Sequence, residues 1–159
     1  MSVVRASHRT EPVLSQAEHS DELRYSQEAW LKHLEFIQAI ITRLATDSFL
    51  MKGWALTISG ALFGFAASHL SWTIATVGLL PIVSFWFLDA YFLRQERLYR
   101  ALYNAVANKD HTVLPFSLNP SAYKGTNPWF TVFRSSTLML FYGVLTIAGL
   151  ALIGSTLFR

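Results

Sequence analysis

The chain has 159 residues, of which 52% are apolar and only 14% are charged, well below the roughly 25% charged residues of a soluble domain. A net charge of +3, spread along the chain, does not favour nucleic acid as a partner, and the absence of cysteine excludes disulfides and zinc–thiolate sites. Apart from Asp89 and Arg159, every charged residue lies in 1–52 or 94–134. The apolar runs between them indicate an all-α integral membrane protein.

The N-terminal region divides into a polar tail, residues 1–20, and a helix predicted from about residue 21. Ser15 and Glu18 have the spacing of a capping box, which leaves an earlier helix start open. Apolar residues recur every three or four positions along this helix: Trp30, Leu34, Ile37, Ile41 and Leu44. Such a seam is typical of a helix that packs against another helix. Because no glycine occurs before Gly53, we expect the helix to continue directly into the first apolar run.

Three apolar runs are long enough to cross a membrane as helices. The first covers 53–70, the second 72–93 and the third 135–158. At about 1.5 Å per residue, even the shortest run extends roughly 27 Å, close to the hydrocarbon thickness of a bilayer. A soluble protein of this length would have too little polar surface to cover three such runs. The sequence therefore predicts three transmembrane helices, with a tight turn near Ser71 between the first two.

Lysine and arginine residues give the predicted orientation. Six precede the first run and six lie between the second and the third, whereas the turn between the first two has none. By the positive-inside rule, the N-terminus and the 94–134 connection are cytoplasmic, and the C-terminus is periplasmic or extracellular. Four aromatic residues are predicted to anchor the helices at the membrane interfaces: Trp54, Trp72, Trp129 and Phe130.

Residues 21–108 are predicted to form one long antiparallel helical hairpin that extends from the membrane into the cytoplasm. Folding it about Ser71 brings residues of opposite charge to similar depths. The expected ion pairs are Lys52 with Asp89, Asp47 with Arg94 or Arg97, and Arg43 with Glu96. Chance matching in a charge-rich region is the alternative, because depth does not fix the direction in which a side chain points.

Asp89 and Pro81 are the two unusual residues of the second run. A charged group within a bilayer is costly, so such residues are candidates for function. Asp89 is either a structural partner of Lys52 or part of an ion path. Pro81 removes a backbone hydrogen bond and predicts a kink. With Gly78, this kink is either a flexible point or an ordinary feature of a membrane helix.

Small residues in the first and third runs predict close packing between helices. Gly60 and Gly64 form a GxxxG pattern, and Ser68 continues the same stripe one turn further. Ala151 and Ser155 have the same spacing in the third run. These residues favour either packing within the chain or association between copies, and a homo-oligomer is the expected state.

The connection 109–134 contains three prolines and several aromatic residues. It is predicted to be an interfacial loop, with a recognition loop as the alternative. No phosphate-binding loop, metal-ligand spacing or nucleophile pattern occurs in the sequence. We therefore expect no enzyme activity, no catalytic residue, no metal and no cofactor.

Residues 21–108 resemble the SLATT group of two-helix membrane effector domains of bacterial conflict systems. The resemblance rests on residues 30–52 before the turn and on residues 85–97, FWFLDAYFLRQER, after it; the third run is an addition to that pattern. It implies a protein that oligomerises in the inner membrane and permeabilises it when an associated sensor is activated. The alternative is a non-catalytic scaffold that docks a soluble cytoplasmic partner. In both cases the lipid bilayer is a partner.

Overall fold

The fold is known from a computed structural model that describes residues 11–110 and 112–157. Within these ranges the regular elements are helices and no strand occurs. They are α1 (Glu11–Ser68), α2 (Trp72–Val77), α3 (Leu79–Ala107), a 3₁₀ helix (Ser121–Thr126), α4 (Trp129–Phe133) and α5 (Ser136–Leu157). Three helical segments, Glu22–Ser68, Trp72–Ala107 and Ser136–Leu157, are long and apolar enough to cross a membrane. The structure thus confirms the predicted all-helical fold and its three candidate spans.

Helix α1 is longer than the sequence predicted. It runs without a break for 58 residues, which corresponds to about 87 Å. Residues 11–20 are helical, so α1 begins before the predicted start near residue 21; residues 1–10 lie outside the described part. Ser15 and Glu18 lie inside the helix and do not mark its start. Pro12 is in the first turn of the helix. A backbone N–H there has no intrahelical acceptor, so the lack of an N–H in proline costs no hydrogen bond.

The second apolar run is divided at Gly78, three residues before the predicted kink at Pro81. Gly78 follows the last residue of α2 and precedes the first residue of α3. Pro81 has no N–H to donate to the carbonyl of Val77, so the regular helix ends there and restarts with Pro81 in its first turn. A Cβ atom on Gly78 would lie 2.7 Å from Phe63 Cε1, so this glycine also permits α1 to approach closely.

Helices α1 and α3 pack along each other in opposite directions. Near one end of the pair, the indole Nε1 of Trp30 donates to the carbonyl oxygen of Val106 at 3.0 Å. Further along the pair, Lys52 contacts Asp89. Two apolar clusters lie between the helices: one contains Ile37, Ile41, Leu102 and Val106, and the other contains Ala55, Ile82, Ala90, Leu138 and Tyr142. The seam predicted in α1 supplies the first cluster, and α5 completes the second.

The connection after α3 is more structured than a plain loop, since it contains the 3₁₀ helix and α4. The indole Nε1 of Trp86 donates to the carbonyl oxygen of Phe133 at 3.2 Å, and the two rings stack with centroids 4.8 Å apart. Arg94 Nε donates to the carbonyl oxygen of Asn127 at 2.9 Å. These contacts hold the connection against α3 and position the start of α5.

Candidate functional site: a buried polar cluster

Four polar side chains from three helices meet beside the second apolar cluster. Helix α1 contributes Ser48 and Lys52, which are one helical turn apart and therefore on the same face. Helix α3 contributes Asp89, and α5 contributes Tyr142. We call Ser48, Lys52, Asp89 and Tyr142 the polar cluster.

Asp89 is at the centre of the polar cluster and has no solvent-accessible surface. Lys52 Nζ lies 2.6 Å from Asp89 Oδ2, and the Tyr142 hydroxyl donates to the same oxygen at 3.1 Å. Ser48 Oγ donates to Asp89 Oδ1. Lys52 Nζ also lies 3.0 Å from Ser48 Oγ. Both carboxylate oxygens therefore have hydrogen-bond partners, and an adjacent ammonium balances the carboxylate charge.

This geometry makes the polar cluster a junction of three helices. A buried carboxylate is tolerated only when it is paired and hydrogen-bonded, and here the partners come from both neighbouring helices. The Tyr142 hydroxyl also lies 3.3 Å from the carbonyl oxygen of Phe85, and its ring stacks on Trp86 with centroids 5.8 Å apart. Because Asp89 is enclosed, the cluster presents no carboxylate to a ligand or to an ion path through the single chain.

The remaining predicted ion pairs are absent among the described residues. Arg43 and Asp47 have no ion-pair partner there, and neither has Arg97. Glu96 pairs with Arg100 within α3 at 2.7 Å, and Arg94 is bonded to the loop. The prediction of an extended charge zipper is therefore wrong. Among the predicted pairs, similar depth along the helices identified an ion pair only for Lys52 and Asp89.

The GxxxG residues do not pack within the chain. A Cβ atom on Gly60 or Gly64 would meet no atom within 4 Å. The other residues of the predicted packing stripes, Ser68, Ala151 and Ser155, are exposed. Close packing inside the chain uses other glycines: a Cβ on Gly149 would lie 2.6 Å from Phe63 Cζ and from Leu79 Cδ2. Packing within the chain therefore does not explain why positions 60 and 64 are glycine.

Sequence reasoning missed Ser48 and Tyr142. Ser48 is four residues before Lys52 on a helix, which is a detectable spacing for a shared partner. Tyr142 is the only tyrosine in the third apolar run, and a buried tyrosine hydroxyl usually has a hydrogen-bond partner. Neither signal identifies Asp89 as that partner.

Three of the predicted interface anchors have exposed side chains, namely Trp54, Trp72 and Phe130, and Trp129 is half-buried.

Within the described ranges, no three His, Cys, Asp or Glu side chains are grouped closely enough to hold a metal ion. Comparison of the chain with protein-family models, curated proteins and solved structures gives no match.

Proposed function

We propose that this chain is a multi-pass protein of the bacterial inner membrane. Its three long apolar helices cross the bilayer, with the N-terminus in the cytoplasm and the C-terminus in the periplasm. The proposal is supported by the length and hydropathy of the three segments and by the lysine and arginine residues that flank them. We call residues 30–44 of α1 and 98–106 of α3, the part of the pair furthest from the proposed membrane, its distal half. Under this proposal, the distal half and the loop after α3 lie in the cytoplasm.

We further propose that copies of the chain associate through the Gly60–Gly64 face of α1 and permeabilise the membrane. The observation that supports this most directly is the open space beside both glycines. In lipid, helix association depends on close packing, and small side chains permit it. Within one chain this surface has no contact that would explain two glycines one turn apart. The resemblance to SLATT domains gives the same expectation.

A conduit in such an assembly would form between copies of the chain. The polar cluster is enclosed by three helices of one chain, so Asp89 is not available to line a path. Neighbouring chains could bring exposed hydroxyl side chains of the apolar segments to a shared path, and Thr57 of α1 and Ser84 of α3 are among them. In such an assembly, Asp89 stabilises the packing of α1, α3 and α5 within each subunit.

Membrane potential during induced expression tests this proposal. We expect the native chain to depolarise cells and Gly60→Ile or Gly64→Ile to abolish the effect, since a larger side chain prevents close approach. Gly143→Ile is the matched comparison, because a Cβ there also meets no atom within 4 Å but lies on α5. An unchanged potential with the native chain would contradict the permeabilising function. Equal loss with all three substitutions would contradict α1 as the interface.

A scaffold that docks a soluble partner is the second candidate. The observation that favours it is a set of exposed apolar side chains on the distal part of α1: Tyr25 is 76% exposed, Leu31 51% and Phe36 53%. Exposed apolar surface in water indicates an interaction site when it is contiguous. A photo-crosslinking residue at position 36 tests this candidate. A crosslink to one soluble protein, with membrane potential intact, would favour the scaffold over the permeabilising function.

A further inference from the structure

A cavity of about 460 Å³ lies at the distal end of the α1–α3 pair. Its walls come from α1, from the end of α3 and from the segment that follows, and they include Trp30, His33, Val106, Lys109 and Phe116. This volume is within the range of about 300–1,000 Å³ that small-molecule sites occupy. The cavity is remote from the polar cluster and from the Gly60–Gly64 face.

The aromatic walls of the cavity are fixed in place. The Trp30 indole is oriented by its hydrogen bond to the Val106 carbonyl. The His33 and Phe116 rings face each other with centroids 5.7 Å apart. Phe116 has φ of +59°, a conformation that is uncommon for residues other than glycine. Strained backbone of this kind is often found where a ligand is held.

His33 offers the cavity a hydrogen-bond acceptor. Its side chain is only 5% exposed, and Nε2 lies 2.9 Å from the carbonyl oxygen of Ser117. A carbonyl only accepts, so this contact requires a proton on Nε2; when the ring carries no second proton, Nδ1 is an acceptor. Nδ1 has no hydrogen-bond partner among the described residues. A ligand that donates an N–H would satisfy it.

Lys109 provides a cation at the same cavity. Its Nζ lies 5.4 Å from the centroid of the Trp30 ring, in a cation–π arrangement that keeps the ammonium beside the aromatic wall. Asp110 also lines the cavity. An ammonium therefore lies over the Trp30 ring in a cavity that His33 and Phe116 also line.

We propose that this cavity binds a small planar aromatic molecule that carries an anionic group and a ring N–H. The ring would lie against Trp30 and Phe116, the N–H would donate to His33 Nδ1, and the anion would contact Lys109. The proposal does not depend on oligomerisation or on membrane permeabilisation.

Calorimetric titration of the full chain in lipid nanodiscs tests the proposal, with empty nanodiscs subtracted. Indole-3-acetate is the probe, because it combines a planar ring, a ring N–H and a carboxylate. Tryptamine has the same ring with a cation, and cyclohexylacetate has the same charge without a planar ring. We expect saturable binding of indole-3-acetate and binding at least about tenfold weaker for tryptamine, the size of one charge-assisted contact. Cyclohexylacetate keeps the charge but lacks the planar ring and its N–H, and should also bind at least about tenfold more weakly.

Three substitutions locate the binding. Lys109→Gln should weaken indole-3-acetate about tenfold and remove its advantage over tryptamine. Lys124→Gln removes the same charge outside the cavity and should leave binding unchanged. Phe116→Leu, at a half-exposed position, should weaken indole-3-acetate and tryptamine alike. No saturable binding to the native chain, tighter binding of tryptamine, or equal effects of the two lysine substitutions would overturn the proposal.

Discussion

The two halves of the α1–α3 pair are held together by different interactions. In the two-helix half, residues 30–44 and 98–106, large aliphatic side chains such as Ile37 and Leu102 are packed against each other. In the three-helix half, residues 48–93 and 136–157, buried aliphatic side chains also pack, and alanines, closely approached glycines, aromatic rings and the polar cluster add further contacts. One half thus resembles a soluble helical pair, and the other adds close backbone approach and a buried charge.

The difference is explained by the surroundings that we propose for each half. In water, burial of aliphatic surface itself favours association of helices. In a bilayer, lipid tails are as apolar as leucine, so burial of aliphatic side chains does not favour helix association. Close packing and interhelical hydrogen bonds must favour it instead. A carboxylate shared by α1, α3 and α5 supplies both a strong interaction and a defined register.

The largest effect is expected from removing one partner of the buried ion pair. Lys52→Met leaves Asp89 buried without a counter-charge and should lower the free energy of unfolding by about 3–5 kcal/mol. Unfolding in mixed detergent micelles, followed by circular dichroism, measures this change. The double substitution Lys52→Met with Asp89→Leu should recover most of the loss, since neither charge then remains. A double variant as unstable as the single one would show that the pairing is not the cause.

A smaller effect is expected in the two-helix half, where Ile37→Ala leaves a cavity. Ile37 has no accessible surface, and truncation of a buried isoleucine costs about 2–5 kcal/mol, with the lower end expected where neighbours are half-exposed and can collapse. Leu31→Ala is the control, because Leu31 is exposed on the same helix. Hydrogen exchange should show faster opening of residues 30–44 and little change in α5. Equal acceleration in α5 would mean that the two halves unfold as one unit.

Tyr142→Phe should reduce the stability of the three-helix half by about 1.5–2 kcal/mol, because a hydrogen bond to a buried carboxylate is lost while the ring remains. Tyr91→Phe removes a hydroxyl from an exposed ring and serves as the control. The comparison uses the same detergent unfolding measurement. If the two substitutions have the same effect, Tyr142 does not join α5 to Asp89.

The smallest effect is expected from the ion pair of Glu96 and Arg100 on α3. The arginine side chain is 61% exposed and the glutamate side chain 12%, and pairs of this spacing within one helix contribute only about 0.3–0.5 kcal/mol. Glu96→Gln should therefore change the unfolding midpoint only slightly, and the change should disappear at high salt. A loss comparable to that of Lys52→Met would remove the distinction between buried and surface pairs.

The sequence was sufficient for the features that depend on one helix at a time. Hydropathy located the three long apolar segments, and the spacing of Trp30, Ile37 and Ile41 gave the face that packs on α3. Features that depend on rotation between helices were not predictable. Depth alone matched Lys52 with Asp89 but also matched Asp47 with Arg94, which do not meet. The position of Tyr142 beside Asp89 depends on how α5 packs, which no local pattern encodes.

The central claim is that three helices cross the bilayer with the ends of the chain on opposite sides. Because the chain has no cysteine, single cysteines can be introduced at Ser26, His69 and Arg159 and labelled in intact spheroplasts with a membrane-impermeant maleimide. The account predicts labelling at positions 69 and 159, and labelling at position 26 only after the membrane is permeabilised. Labelling of positions 26 and 159 from the same side, or of all three in a chain that stays in the soluble fraction, would contradict it.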